Sequence, residues 1–266
     1  MAHSLVSLQV KNEHLSGAVH LPDHSLSKTY PAVIFVHGFV GSKVGEHRLF
    51  VKASRYLAQK GYASFRFDFS GCGESSGDYR HLTVSKQIQE LLTIIDYVKN
   101  HPLINENQVT LIGHSLGGAT SALVAAQANI HQLILWSAVA QPYQDIVRIT
   151  GNSAVKIAQK EGVFDYHGFE ISHSFFQDLR IHQPLEAISA FKGNVLILHA
   201  EQDEDVAVTH AESYAKATQT PSTPIYIKKA NHTFASTSWE HKLFEQTANW
   251  LSNHQTHRGH KSVEMI

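Results

Sequence analysis

Short apolar runs alternate along the chain with longer stretches in which apolar residues recur every three or four positions. Ser4–Val10 and Gly17–Leu21 read as two strands joined by a polar turn around Asn12. Pro31–His37 (PAVIFVH) is a continuous apolar run ending at Gly38, the pattern of a strand buried on both faces. His47–Lys60 predicts a helix with Gly61 just past its end, and Ala63–Phe67 a short strand. Val84, Ile88, Leu91, Ile95 and Val98 fall on one face of a helix. Gln108–Ile112 is a strand run, followed by an Ala- and Gly-rich helix over Ser115–Gln127. Gln132–Ser137, Val195–His199 and Pro224–Lys229 are three more strand runs, with helices expected over His210–Thr218 and Ser238–Asn253. Eight strands interleaved with helices predict an α/β fold around a mostly parallel sheet flanked by helices.

The interval Gln141–Pro184 breaks this rhythm. It shows no strand–helix alternation and carries Tyr143, Phe164, Tyr166, Phe169, Phe175 and Phe176. Irregular connections of this length are uncommon without a role, so a lid or cap insertion over the carboxyl ends of the strands is expected. The chain then divides into a core of residues 1–140 and 185–253, a lid of residues 141–184 and a polar tail of residues 254–266.

Composition narrows the class. Of 266 residues, 42% are apolar and 17% charged, which excludes a disordered chain. A net charge of −1 offers no basic field for nucleic acid or anionic lipid. No apolar run is long enough to span a membrane, and the first twenty residues lack the basic-then-apolar pattern of a secretory signal. Cys72 is the single cysteine and cannot form an internal disulfide, so a cytoplasmic location is expected. The 20 histidines are unusual; His254, His257 and His260 recur every third residue of the tail, where a bland flexible segment is the expected reading. No arrangement calls for a catalytic metal or a cofactor.

Gly113-His114-Ser115-Leu116-Gly117 matches G-x-S-x-G, lies between a strand run and a helix run, and is followed by Gly118. Such a turn is too tight for side chains at Gly113 and Gly117. It would hold Ser115 in a strained conformation at a helix N-terminus, where N–H groups favour developing negative charge. A serine needs a base to take its proton. His232 directly follows the last strand run, and position selects it from the 20 histidines. Asp203 follows the strand Val195–His199 and would orient the imidazole, with Asp205 and Glu201 as competing acids. His37-Gly38-Phe39 closes the first buried strand; the N–H groups of Phe39 and Leu116 are the candidate oxyanion hole.

Together with Phe67-Asp68-Phe69-Ser70-Gly71-Cys72-Gly73-Glu74-Ser75, HAEQDEDV and ANHTF, these marks span residues 30 to 250. The chain resembles the α/β-hydrolase-fold serine esterases, and among them bacterial cinnamoyl (feruloyl) esterases and related small carboxylesterases. The resemblance implies a lid after the sixth strand, with a polar lid residue against a phenolic hydroxyl, for which Asp145 is the match. Where relatives place a lid tyrosine this chain has Phe175 or Phe176. Those residues, Phe39 and Phe234 are expected to form an apolar acyl pocket. The expected activity is cofactor-free hydrolysis of carboxylic esters, hydroxycinnamoyl or short-chain acyl, through an acyl-enzyme. A thioesterase, acyltransferase or peptidase on the same scaffold, a non-catalytic binding protein, and a lid serving as an interaction surface are the rivals. The expected partner is a small-molecule ester, not nucleic acid or membrane, and a homodimer is compatible with the chain.

Overall fold

The structure is a computed structural model and describes residues 2–22 and 29–254. The chain opens with strands β1 (Ala2–Val10), β2 (Glu13–Leu21) and β3 (Tyr30–Val36), then helix α1 (Leu49–Gln59), β4 (Ala63–Phe67) and α2 (Val84–Lys99). Next come β5 (Ile104–His114), α3 (Leu116–Ala125) and β6 (Gln132–Trp136). Beyond β6 lie α4 (Pro142–Thr150), α5 (Ala154–Glu161), β7 (Val163–Tyr166), β8 (Phe169–Ser172), α6 (His173–Leu179) and α7 (Pro184–Ser189). The chain ends with β9 (Asn194–Ala200), α8 (Thr209–Ala217), β10 (Ile225–Ile227) and α9 (Thr237–Asn253).

Eight strands form one sheet in the order β1-β2-β4-β3-β5-β6-β9-β10. β2 runs antiparallel to β1 and to β4, and all pairs from β4 to β10 are parallel. The apolar runs are continuous because helices cover both faces. Ala32, Ile34 and Val36 face one core with Leu111, Leu133 and Ile197; Val33 and Phe35 face the other with Ile112, Trp136 and Leu198. The chain leaves β3 toward β4 and returns past it to β5. The strand order reverses between β3 and β5, and their carboxyl ends open a crevice there.

Two expectations need correction. The interval 141–184 is not without regular structure: it folds as helices α4 to α6 and an antiparallel hairpin of β7 and β8. His167 and Gly168 turn that hairpin, both with positive φ (53° and 88°), as a tight two-residue turn requires. Strand β5 also starts at Ile104, four residues before the apolar run, where Tyr30 pairs with Ile104 across a register shift. The tail beyond His254, with His257 and His260, lies outside the described residues. No helix among the described residues is long and apolar enough to cross a membrane.

Candidate active site

Ser115 stands between β5 and α3 with φ 58° and ψ −126°, a backbone conformation that costs a non-glycine residue about 1–3 kcal/mol. The surroundings enforce it. Ser115 N–H donates to Trp136 O (3.0 Å), and Ser115 O accepts from Gly118 (3.0 Å) and Val139 (3.1 Å). A Cβ at Gly117 would lie 2.2 Å from Val36 O, and one at Gly113 2.5 Å from Gly117 O. These two glycines let the turn lie flat against β3.

Behind the cleft, His232 Nδ1 meets Asp203 Oδ2 at 2.8 Å. Asp203 is held from its other side, where Oδ1 accepts the N–H groups of Asp205 (3.0 Å) and Val206 (2.7 Å). Burial works to raise the Asp203 pKa. The hydrogen bond and charge of His232, the Val206 amide and the charge of His199 outweigh it, and the carboxyl sits below its ordinary range. The two competing acids are placed differently: Glu201 accepts from Lys229 N–H at 2.9 Å, and Asp205 is exposed. Ser115 and His232 line one cleft of about 210 Å³, walled by Phe39, Phe50, Ile149 and Tyr166.

The loop after β3 packs directly on Ser115. A Cβ at Gly38 would fall 3.0 Å from Ser115 Cβ and 3.2 Å from Leu116 N. Among the described residues, no protein acceptor takes the Phe39 or Leu116 N–H. His37 locks the loop. Its Nε2 accepts from Phe69 N–H (3.1 Å), so Nδ1 carries the proton and donates to Gly38 O (3.1 Å). Burial pushes the His37 pKa down, keeping the ring neutral. Lys43 bridges Asp68 (2.6 Å) and Glu74 (2.8 Å), while Asp68 also takes the Lys43 N–H (2.5 Å) and Glu74 N–H (3.0 Å). This ion pair ties the loop after β3 to the glycine-rich loop after β4. Cys72 is buried there, its thiol pushed up to about 12 mainly by burial, which makes it a poor nucleophile.

The structure does not bring the other predicted contacts to the cleft. Asp145 is buried in α4, 3.5 Å from Arg148 and from His210 Nδ1. His210 Nδ1 already accepts from Ala140 N–H (2.9 Å), so it has no proton to give, and Asp145 Oδ2 is left without a hydrogen bond. Burial raises the Asp145 pKa. Phe175 and Phe176 are both 1% exposed, and Phe175 stacks behind Phe39 with centroids 5.8 Å apart. Phe234 is fully buried and supports His114 from the core. These aromatic groups back the wall instead of forming it.

Sequence reasoning passed over two residues. His114 stacks on His232 (centroids 4.9 Å, 30° between planes) and donates from Nε2 to His232 O at 3.0 Å. Its place inside the serine motif was the available signal. Tyr166, against Phe39 at 5.4 Å, reaches the cleft only because of the β7–β8 hairpin.

A family model described as alpha/beta hydrolase fold matches residues 31–161. The chain is 26% identical over 225 residues to a mitochondrial palmitoyl-protein thioesterase, ABHD10, of Rattus norvegicus, covering 80% of this chain and 72% of that protein. It is 34% identical over 100 residues to the lysophosphatidylserine lipase ABHD12 of Xenopus tropicalis, covering 37% and 24%. Two solved structures share the fold. Est1E from Butyrivibrio proteoclasticus with ferulic acid gives a TM-score of 0.78 at 21% identity, covering 93% of this chain and 98% of that one. The mouse alpha/beta hydrolase domain-containing protein 10 gives 0.77 at 23%, covering 94% and 99%. Strand order, matched model and structural neighbours agree, and the chain has the α/β-hydrolase fold.

Proposed function

We propose that the protein is a serine hydrolase that cleaves short-chain carboxylic esters and thioesters through an acyl-enzyme. The observation that carries this is the strained Ser115 sharing one cleft with His232, whose other nitrogen is held by Asp203. Ser115 Oγ attacks the carbonyl carbon as His232 Nε2 takes its proton. The Nδ1–H bond to Asp203 fixes the tautomer that leaves Nε2 free to do so. The N–H groups of Phe39 and Leu116 receive the oxyanion; one such donor is worth about 3 kcal/mol. Collapse expels the alcohol or thiol, protonated by His232. Water, deprotonated by the same imidazole, then releases the acid and restores Ser115.

The cleft volume favours short acyl groups: about 210 Å³ lies below the ~300–1,000 Å³ of drug-sized pockets. A hydroxycinnamoyl preference gains no support from Asp145, which turns away from the cleft. A thioester reading is favoured by the relative named as a palmitoyl-protein thioesterase, although so long a chain would need the lid to move. A fluorophosphonate probe should label Ser115, and Ser115→Ala should lose labelling and about six orders of magnitude of turnover with the fold intact. Turnover by Ser115→Ala at the wild-type rate would refute the mechanism. A panel of acetyl to palmitoyl esters, thioesters, methyl ferulate and peptide amides then fixes the acyl class.

A further inference from the structure

The cleft at Ser115 carries unbalanced charge. Apart from its imidazoles, the titratable side chains that line it are the Tyr166 phenol and the carboxylates of Glu46 and Asp205, and both acids are exposed. They come from different loops, Glu46 from the oxyanion segment and Asp205 from the turn that holds Asp203. The Tyr166 hydroxyl pKa is raised first by burial and then by the charge of Asp205, which sets that carboxylate beside the aromatic wall.

The nearby basic side chains stay outside the lining. Lys43 is buried between Asp68 and Glu74. His47 lies between Glu240 (2.8 Å) and Thr233 O (2.8 Å). Arg148 donates to the carbonyls of Glu204 and Asp205. Arg48 is exposed, and its charge repels that of the buried Arg66. None of these four lines the cleft.

We propose that the cleft selects by charge, taking esters or thioesters whose groups beside the reacting carbonyl are cationic or neutral and discriminating against anionic ones, with Glu46 and Asp205 as the specificity-determining residues. The inference rests on the hydrolase reading above. A cationic group gains from both carboxylates and from the faces of Phe39 and Tyr166. An anionic group meets the same field with the opposite sign, and a polyphosphorylated acyl carrier meets it several times over.

Three thioacetates of similar size test this: S-acetylthiocholine, its neutral 3,3-dimethylbutyl isostere and S-acetyl-2-mercaptoethanesulfonate, each followed by thiol release. The readout is the cation-to-anion ratio of kcat/KM in wild type and in the Glu46→Gln/Asp205→Asn double variant, so that leaving-group differences cancel. The ratio should fall about tenfold in the double variant. In wild type it should shrink several-fold between about 0.01 M and about 1 M salt. A ratio that neither the double substitution nor salt changes overturns the proposal while leaving the hydrolase reading in place. Should the double variant fail to fold, the wild-type salt dependence decides alone. Absence of turnover for all three compounds, with Ser115 unlabelled by fluorophosphonate, overturns the hydrolase reading and the charge selection with it.

Discussion

His232 is gripped at more than its acid. His114 lies flat against it and donates a hydrogen bond to its carbonyl, so ring and backbone are fixed together. Burial, helped by the charge of His232, pushes the His114 pKa down to about 3, which keeps this neighbour neutral. His114→Ala should lower kcat about tenfold to a hundredfold with KM little moved, the loss of one buried hydrogen bond and one ring contact. His114→Phe, which keeps the stack, should recover part of it; steady-state kinetics on one neutral ester decides. Asp203→Asn should cost about 10⁴ in kcat by favouring the wrong tautomer, far more than Asp205→Asn, and the reverse order would reassign the acid. At this scale the candidate residues Ser115, Asp203 and His232 stand out in the sequence because punctuation marks them: a glycine-framed serine, and an acid and an imidazole each set just past an apolar run. Which aromatic groups line the cleft was not legible. Composition counts Phe175, Phe176 and Tyr166 alike, and only the hairpin turn at His167-Gly168 decides that Tyr166 faces the cleft.

Helix α4 joins the 141–184 segment to the candidate site. It presents Ile149 to the cleft, while Arg148 captures the carbonyls of the turn whose N–H groups point at Asp203. Every exposed end of that turn is therefore anchored, inside by a carboxylate and outside by a guanidinium. Arg148→Met should reduce kcat several-fold with unchanged circular dichroism, and Arg148→Lys should recover part of the loss, since an ammonium reaches carbonyls but lacks the fork. Equal rates in all three proteins would free the acid turn from the lid. Shortening the wall, as in Ile149→Ala or Tyr166→Ala, should shift the preferred acyl chain to longer esters in a p-nitrophenyl series. The elements of the 141–184 segment were hard to read from the sequence because each is short. Pro142 opens α4 and Pro184 opens α7, but β7 and β8 have four residues each, too few for a period to emerge. The long helices and the doubly covered strands posed no such difficulty.

Across the whole molecule, the sheet buries several histidines as neutral rings. Burial lowers the pKa of His20 to about 4 and of His114 to about 3, from an ordinary 6.5, and depresses His37, His199 and His210 in the same direction. The unfolded chain binds protons below 6.5 that the folded chain refuses, so stability is full above about pH 6.5 and falls as pH drops toward the folded values. For His114 alone the loss at pH 5 is about 2 kcal/mol. The urea midpoint should drop markedly between pH 7 and pH 5, and His20→Leu should flatten that drop. A midpoint indifferent to pH over this range would mean that these rings are not held neutral by the fold.

The twist in the backbone at Ser115 has an evolutionary corollary. Glycine tolerates φ 58° without penalty, so Ser115→Gly should yield an inert protein that resists urea better than the active one, by about 1 kcal/mol. Selection for robustness alone would erode this enzyme. The hydroxyl persists at that corner only so long as its chemistry is wanted.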